Sequence, residues 1–158
     1  MKYSAIAGLL LLIASSSQAQ NWHHWRGPSF NGSTEVGKLP VTWSTTENVV
    51  WSAPLPGAAA STPVVWEDRV FLSSVDEERG VLEVRCHGRR DGSCLWKHDV
   101  PGEPRRDYRS NYASNSPVTD GEVVVFFFGN GQLLGYDLGG KQLWARDLQK
   151  DYGSFAFL

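Results

Sequence analysis

Two stretches of the chain share the same order of apolar and polar runs. Each starts with an apolar run after a proline, at Pro63 and at Pro117, and each ends on a Leu-Trp pair that contains Trp96 or Trp144. The runs between these points are short, rich in Val, Phe, Tyr and Trp, and separated by turns that contain glycine, which is typical of β-strands. The pattern therefore predicts a supersecondary unit that occurs twice.

The hairpin that ends each unit is the clearest local signal. Residues 133–138 and 141–148 are strand-like runs on either side of Gly139 and Gly140. Glycine supplies the positive φ that a tight two-residue turn requires, so this stretch predicts a β-hairpin. The earlier copy spans residues 84–100 and turns at Gly92.

A third copy of the closing run lies at Val50 and Trp51, 45 residues before Trp96. A unit of about 45 residues with four short strands is the signature of a β-propeller blade. Residues 41–43 and 48–55 are also predicted to be strands, the second as the outer strand of a closing blade. The sequence thus predicts an all-β, incomplete propeller of about two blades plus a leading outer strand.

Six segments follow from this reading. They are a signal peptide (1–19), an N-terminal segment with the outer strand (20–56), a first blade (57–100), an inter-blade loop (101–115), a second blade (116–148) and the start of a next blade (149–158). Propellers close with about four to eight blades. Because two open blades would leave large apolar faces in water, we expect the N-terminal fragment of a longer protein. Assembly of several copies into a ring is the alternative.

Residues 1–19 have the organisation of a secretory signal peptide. Lys2 is followed by an apolar run over residues 5–14 and by a small-polar-small sequence that ends at Ala19. This order predicts an exported protein, periplasmic or extracellular, without a transmembrane segment after cleavage. The net charge of −2 is small and mixed along the chain, so nucleic acid is not predicted as a partner. A protein or a small molecule is predicted as the partner instead.

The inter-blade loop holds the candidate ligand-binding residues, since it must cross a face of the propeller. They are Arg105, Arg106, Tyr108, Arg109, Asn111 and Tyr112. Guanidinium and phenol groups on such a face can clamp an anionic or planar ligand. The alternative is that the same side chains brace the connection through hydrogen bonds and ion pairs.

Two other polar features have structural explanations that we prefer. His23 and His24 are neighbours, and because no third ligand stands at a recognisable spacing, packing of Trp22 and Trp25 against a sheet edge is favoured over metal binding. The charged run 76–80 is interpreted as a solvated hairpin tip, since paired catalytic acids need a shaped pocket.

The two cysteines of the chain, Cys86 and Cys94, flank the turn of the first hairpin. In an exported chain a disulfide has to be considered. With Gly88 and Ser93 closing the turn, Cys94 faces His87 and Cys86 faces the residue after Cys94, which puts the sulfur atoms on opposite sides of the ribbon. Two buried thiols are therefore favoured, and a β-bulge is what would restore the disulfide.

These hairpins resemble the tryptophan-docking repeat of the pyrroloquinoline-quinone-like (PQQ-like) β-propellers. In that family the pattern Ala-x-Asp-x-x-x-Gly-x-x-x-Trp closes each blade, and the tryptophan stacks between neighbouring blades. Cys86 and Gly88 stand where the pattern has Ala and Asp, and Asp137 is out of step in the second copy. The opening residues 21–28 also resemble exported propellers of this type. The resemblance implies blade-docking roles for Trp51, Gly92, Trp96, Gly140 and Trp144.

A quinone-dependent dehydrogenase of this family would further need a calcium site, an Asp base and, in many members, two adjacent cysteines. We match no calcium motif, catalytic residue or adjacent Cys pair to the sequence, and no cofactor is predicted for it. We therefore expect a non-catalytic exported module for binding or scaffolding. The alternative is the N-terminal part of a PQQ-dependent oxidoreductase, in which PQQ and calcium belong to blades of the full-length protein.

Overall fold

The computed structural model describes residues 20–35, 37, 39–105 and 111–155. The predicted signal peptide lies outside these residues. The described part folds into eight strands and one short helix: β1 (Val64–Trp66), β2 (Arg69–Asp76), β3 (Val81–Gly88), β4 (Cys94–Val100), β5 (Val118–Thr119), β6 (Val123–Phe127), β7 (Gln132–Asp137), β8 (Gln142–Asp147) and α1 (Leu148–Tyr152). Within it, no helix has the length and apolar character needed to cross a membrane.

The strands form two four-stranded antiparallel sheets in chain order, β1-β2-β3-β4 and β5-β6-β7-β8. Each is the meander of a propeller blade, so we call them the first and second blades. The prediction of an all-β fold of propeller blades is confirmed. Corresponding strands begin 54 residues apart at β1 and β5 but 48 apart at β4 and β8, because strands β5, β6 and β7 are shorter than β1, β2 and β3.

The prediction of a leading outer strand is wrong. Residues 41–43 and 48–55 contain no strand. Asn48 has a φ of 56°, which interrupts an extended backbone, and its side-chain amide donates to the Thr42 carbonyl at 2.8 Å. In the described part of the chain no neighbouring strand pairs with this stretch. A short apolar run is present there, but a strand also needs a partner for its backbone groups.

The turn of the second hairpin also differs from the prediction, although the hairpin itself is present. β7 and β8 pair with Tyr136 opposite Gln142, and the connection between the strands spans residues 138–141, so it is longer than a two-residue turn. Gly140 has a φ of 92° while Gly139 does not have a positive φ. A tight type I′ turn needs positive φ at both central residues, and here the Asp137 carboxylate closes the turn by accepting from the Lys141 amide at 2.9 Å.

The main hydrophobic core lies between the facing sides of the two blades. Its buried members include Phe71, Leu82, Val84 and Cys86 from the first blade and Val124, Phe126, Leu134 and Tyr136 from the second. Trp96 extends this core along β4: its ring stacks on Tyr136 with centroids 5.7 Å apart and lies 6.0 Å from Phe71. Burial of each large apolar side chain contributes about 1.5–3 kcal/mol, so this layer holds the blades together.

The N-terminal segment ties the two inner strands to each other. Trp22 exchanges two backbone hydrogen bonds of 2.8 Å with Val65 of β1, and the His23 carbonyl accepts from Thr119 of β5 at 3.0 Å. Trp22 thus packs at a sheet edge as expected. Trp25 does not: the chain turns after His24, and Trp25 stays 62 % exposed with the Arg26 guanidinium over its ring.

Replacing Trp96 with Ala should lower the free energy of unfolding by about 3–5 kcal/mol, because the indole fills the space between the blades. Replacing the exposed Trp25 with Ala is the matched control, with an expected loss close to zero. Urea unfolding followed by circular dichroism measures both. Equal losses in the two variants would contradict the placement of Trp96 in the inter-blade core.

Candidate functional site

The first candidate site is the contact between a tryptophan of one blade and the turn of the next. Trp96 lies flat on Gly140, where a Cβ atom would sit 2.6 Å from the indole Cγ. The indole Nε1 donates to the Leu138 carbonyl of the same turn at 3.1 Å. His98 Nε2 lies 2.7 Å from the Gly140 carbonyl and extends the contact. The second turn is therefore shaped to receive an indole ring.

The same contact joins the segment before the first blade to the turn of that blade. Trp51 lies on Gly92, whose φ of 70° and missing Cβ leave room for the ring. Its Nε1 donates to the Arg89 carbonyl at 2.7 Å. Trp144 has the same place in the second blade: it lies opposite Gly135 of β7 as Trp96 lies opposite Cys86 of β3, and it is 38 % exposed. The structure thus pairs Trp51 with Gly92 and Trp96 with Gly140, and the described residues include no following blade that could receive Trp144.

Each hairpin turn contains an aspartate that accepts hydrogen bonds within the turn, but the two aspartates stand at different positions. Asp137 accepts from the Lys141 amide in the second turn, whereas Gly88 occupies the matching end of β3 in the first. A Cβ at Gly88 would lie 2.7 Å from Asp91 Oδ1, so the Asp91 carboxylate fills the space that Gly88 leaves. Hydrogen bonds from the amide and hydroxyl of Ser93 hold the pKa of Asp91 below its usual value.

The inter-blade loop makes the contacts of a brace in its described part. The Asn111 amide donates to the Ala58 carbonyl at 2.7 Å, and its Oδ1 accepts from the Ala113 amide at 3.0 Å. Tyr112 packs beneath Gly129, and its backbone amide donates to the Arg105 carbonyl at 3.2 Å. Arg105 lines a cleft of about 290 Å³. Arg106, Tyr108 and Arg109 lie outside the described residues.

A buried polar ladder on β3 was not found by sequence reasoning. Glu83, Arg85 and His87 alternate with Leu82, Val84 and Cys86, so they share the side of the sheet that faces away from the second blade. Arg85 donates to Glu83 at 2.5 Å and to His87 Nε2 at 3.4 Å, and His87 Nδ1 lies 2.8 Å from the Gly92 carbonyl. The Glu-x-Arg-x-His spacing of two was the available signal.

Arg79 joins this ladder to the charged turn that was interpreted as a solvated tip. Its guanidinium pairs with Glu83, with Asp76 at 2.7 Å and with Asp99 at 2.8 Å. The pKa of Asp76 is lowered mainly by a hydrogen bond from the Arg79 backbone amide and next by one from the Arg79 side chain. The pKa of Asp99 is lowered by a hydrogen bond from the Arg79 side chain. Arg79 therefore ties the carboxylates of Asp76, Glu83 and Asp99 together within the fold.

His24 is buried against Phe30, with ring centroids 4.0 Å apart. Burial lowers its pKa, and the nearby His23 and Arg26 lower it further. The backbone amide of Arg26 donates to His24 Nδ1 at 3.2 Å. Within the described residues, no group of three or more His, Cys, Asp or Glu side chains is arranged to hold a metal ion.

Cys86 and Cys94 are both free thiols. Cys94 lies opposite His87 as predicted, but a bulge between Cys86 and His87 places Trp96 opposite Cys86. Cys86 is buried, and burial raises its pKa to about 12. Cys94 is exposed, which corrects the expectation of two buried thiols, because the outer strand β4 leaves most of its side chains in solvent.

Four-stranded meanders that dock a tryptophan onto the turn glycine of the next blade define a class of PQQ-like repeat proteins. The chain belongs to the PQQ-like repeat family whose model is described as outer membrane protein assembly factor BamB, which matches residues 30–156. No curated protein was found to match the chain. The family identifies the repeat and leaves the activity to be argued from the site.

Replacing Gly140 with Ala should destabilise the protein by two effects. A left-handed φ costs a non-glycine residue about 1–2 kcal/mol, and the clash with the Trp96 ring adds about 1–3 kcal/mol of overpacking. Gly80 is the control, because it has a φ of 66° with nothing within 4 Å of the added Cβ, so Gly80→Ala should show the first effect alone. Equal unfolding midpoints for the two variants would contradict the docking geometry.

The two thiols should differ in reactivity. At mildly alkaline pH, 5,5′-dithiobis(2-nitrobenzoate) should modify Cys94 quickly and Cys86 only after unfolding, because the Cys86 thiolate is suppressed by burial. Absorbance of the released product counts the thiols. Cys94→Ser should abolish the fast phase and leave the amplitude after denaturation at a single thiol. Fast reaction of both thiols in the native protein would contradict this placement.

Proposed function

We propose that the chain is a non-catalytic, exported propeller module that binds or scaffolds a partner protein. The observation that supports this proposal is that the polar side chains of the chain are bonded to other groups of the fold. Glu83 is paired with arginines, His87 lies against the Gly92 carbonyl, and Asn111 is bonded to the Ala58 carbonyl. These groups hold the fold together. A site that acts on a substrate would instead aim such groups into a shared pocket.

Exposed apolar side chains support the binding role. Val50 is 88 % exposed and Val41 is 92 % exposed, and both line one surface groove. Contiguous apolar surface that remains in solvent marks sites at which proteins associate. The description of the family model as an outer membrane protein assembly factor supports the same role. The signal-peptide pattern of residues 1–19 supports export.

The alternative is a part of a PQQ-dependent oxidoreductase, for which the PQQ-like blades are the supporting feature. The described residues do not fit a calcium-held quinone. Calcium takes six to eight oxygen ligands, commonly from several carboxylates, whereas Asp76, Asp99 and Glu83 are already held by arginines. We therefore derive no chemical step through the cofactor.

Adding PQQ and calcium chloride to the purified full chain should leave its melting temperature unchanged, because no described site is built to hold them. A dye-linked assay with alcohols and aldoses should show no quinone-dependent turnover, and a PQQ-dependent dehydrogenase in the same assay is the positive control. A saturable rise in melting temperature together with dye reduction would establish the oxidoreductase and refute the proposal.

Binding is tested separately in the producing cell. A photo-reactive amino acid at exposed Val50 should form a discrete protein adduct, whereas the same group at Glu122 on a polar turn should not. Equal adducts at both positions would indicate random collision and would contradict a defined binding surface.

A further inference from the structure

A cleft of about 360 Å³ opens between the start of β2 and the turn that joins β3 to β4. Its lining combines three arginines, two aspartates and one apolar side chain: Arg69, Arg89, Arg90, Asp68, Asp91 and Leu95. Leu95 is 51 % exposed. No role described above uses these side chains apart from the turn carboxylate of Asp91. The cleft therefore presents guanidinium groups beside an apolar surface.

One carboxylate orients two of the three arginines. Asp68 accepts from Arg89 at 3.3 Å and from both Nε and Nη2 of Arg90 at 3.3 and 3.1 Å. The Arg90 side chain is nevertheless 81 % exposed. A guanidinium carries five N–H donors, so most donors of this pair face the cleft and solvent. Asp68 aligns the two groups without saturating them.

The backbone below the arginines is fixed. The Arg89 amide donates to the Asp68 carbonyl at 2.9 Å, and the Arg89 carbonyl accepts from the Trp51 indole at 2.7 Å. The docked tryptophan thus holds the residue from which one guanidinium projects. Binding loses less conformational entropy when the groups that make it are already positioned.

We propose that this cleft binds the carboxylate side chains of an acidic segment of a partner protein, with Leu95 packing on an apolar residue of that segment. Guanidinium groups recognise carboxylates through paired, charge-assisted hydrogen bonds. The idea rests on the proposed binding function and adds the chemistry of the partner. It places the contact on the first blade, next to the docking turn.

Charge favours an acidic peptide over a phosphate polymer. Three arginines and two aspartates leave the cleft with a net charge of +1, and the whole chain carries −2. Nucleic acids and anionic membranes are bound by extended surfaces of many cationic side chains. Asp68 and Asp91 would repel closely spaced phosphates, whereas a flexible peptide can place single carboxylates on the arginines and keep its other residues away.

The test uses the purified full chain and a short fluorescein-labelled peptide of Glu and Gly with a single Leu. Fluorescence anisotropy at low salt should show saturable binding that weakens as salt is added. Arg89→Ala with Arg90→Ala should weaken it by about tenfold or more, since charged hydrogen bonds are lost. Arg146→Ala is the matched control, because Arg146 is a half-exposed arginine paired with Asp151 elsewhere and should change nothing.

Two further measurements separate recognition from general attraction. The Gln version of the peptide should not bind, because it lacks the carboxylates with which the guanidinium groups pair. Unchanged binding in the double arginine variant, with an unchanged circular dichroism spectrum, would overturn the proposal. Equal or tighter binding of a single-stranded oligonucleotide or of phosphatidylserine vesicles through the same arginines would overturn it too. Neither result alters the cofactor test of the proposed function.

Discussion

The packing of an indole ring on a turn glycine is the contact on which the rest of the structure depends. A side chain at Gly92 or Gly140 would occupy the place of the ring, so the blades approach each other only because these two residues have none. The indole N–H then fixes the orientation by donating to a carbonyl of the turn, Arg89 for Trp51 and Leu138 for Trp96. Shape, a missing Cβ and one hydrogen bond together set the register of one blade on the next.

The first blade has two chemically different sides, because apolar and polar residues alternate along β3. The side towards the second blade is apolar and includes Phe71, Val84 and Cys86. The other side carries the ladder of Glu83, Arg85 and His87, which is buried and internally paired. A buried charge is tolerated when its partners are also buried and hydrogen-bonded, as they are here. The ladder reaches the docking turn through His87, and so links the polar side to the seat of Trp51.

The repeat, the strands and the hairpins could be predicted because each depends on the local sequence, namely on short apolar runs between turns and on the spacing from glycine to tryptophan. The extended reading of residues 48–55 failed because the backbone at Asn48 is left-handed and because pairing depends on a distant neighbour. The exposure of Cys94 depends on β4 being the outer strand, and the facing of Trp96 and Cys86 depends on a bulge. The arginine cleft joins residues 68–69 to 88–95, which only the β2–β3 pairing brings together.

The order of the docking contacts along the chain has a consequence for biosynthesis. Each tryptophan precedes its glycine, Trp51 by 41 residues and Trp96 by 44. When a blade leaves the ribosome, its closing tryptophan has no turn glycine to pack on until the hairpin of the next blade has emerged. During synthesis the docking contacts can therefore form only in chain order, starting from the N-terminus. Until the next hairpin has emerged, the newest indole ring lacks the glycine on which it packs.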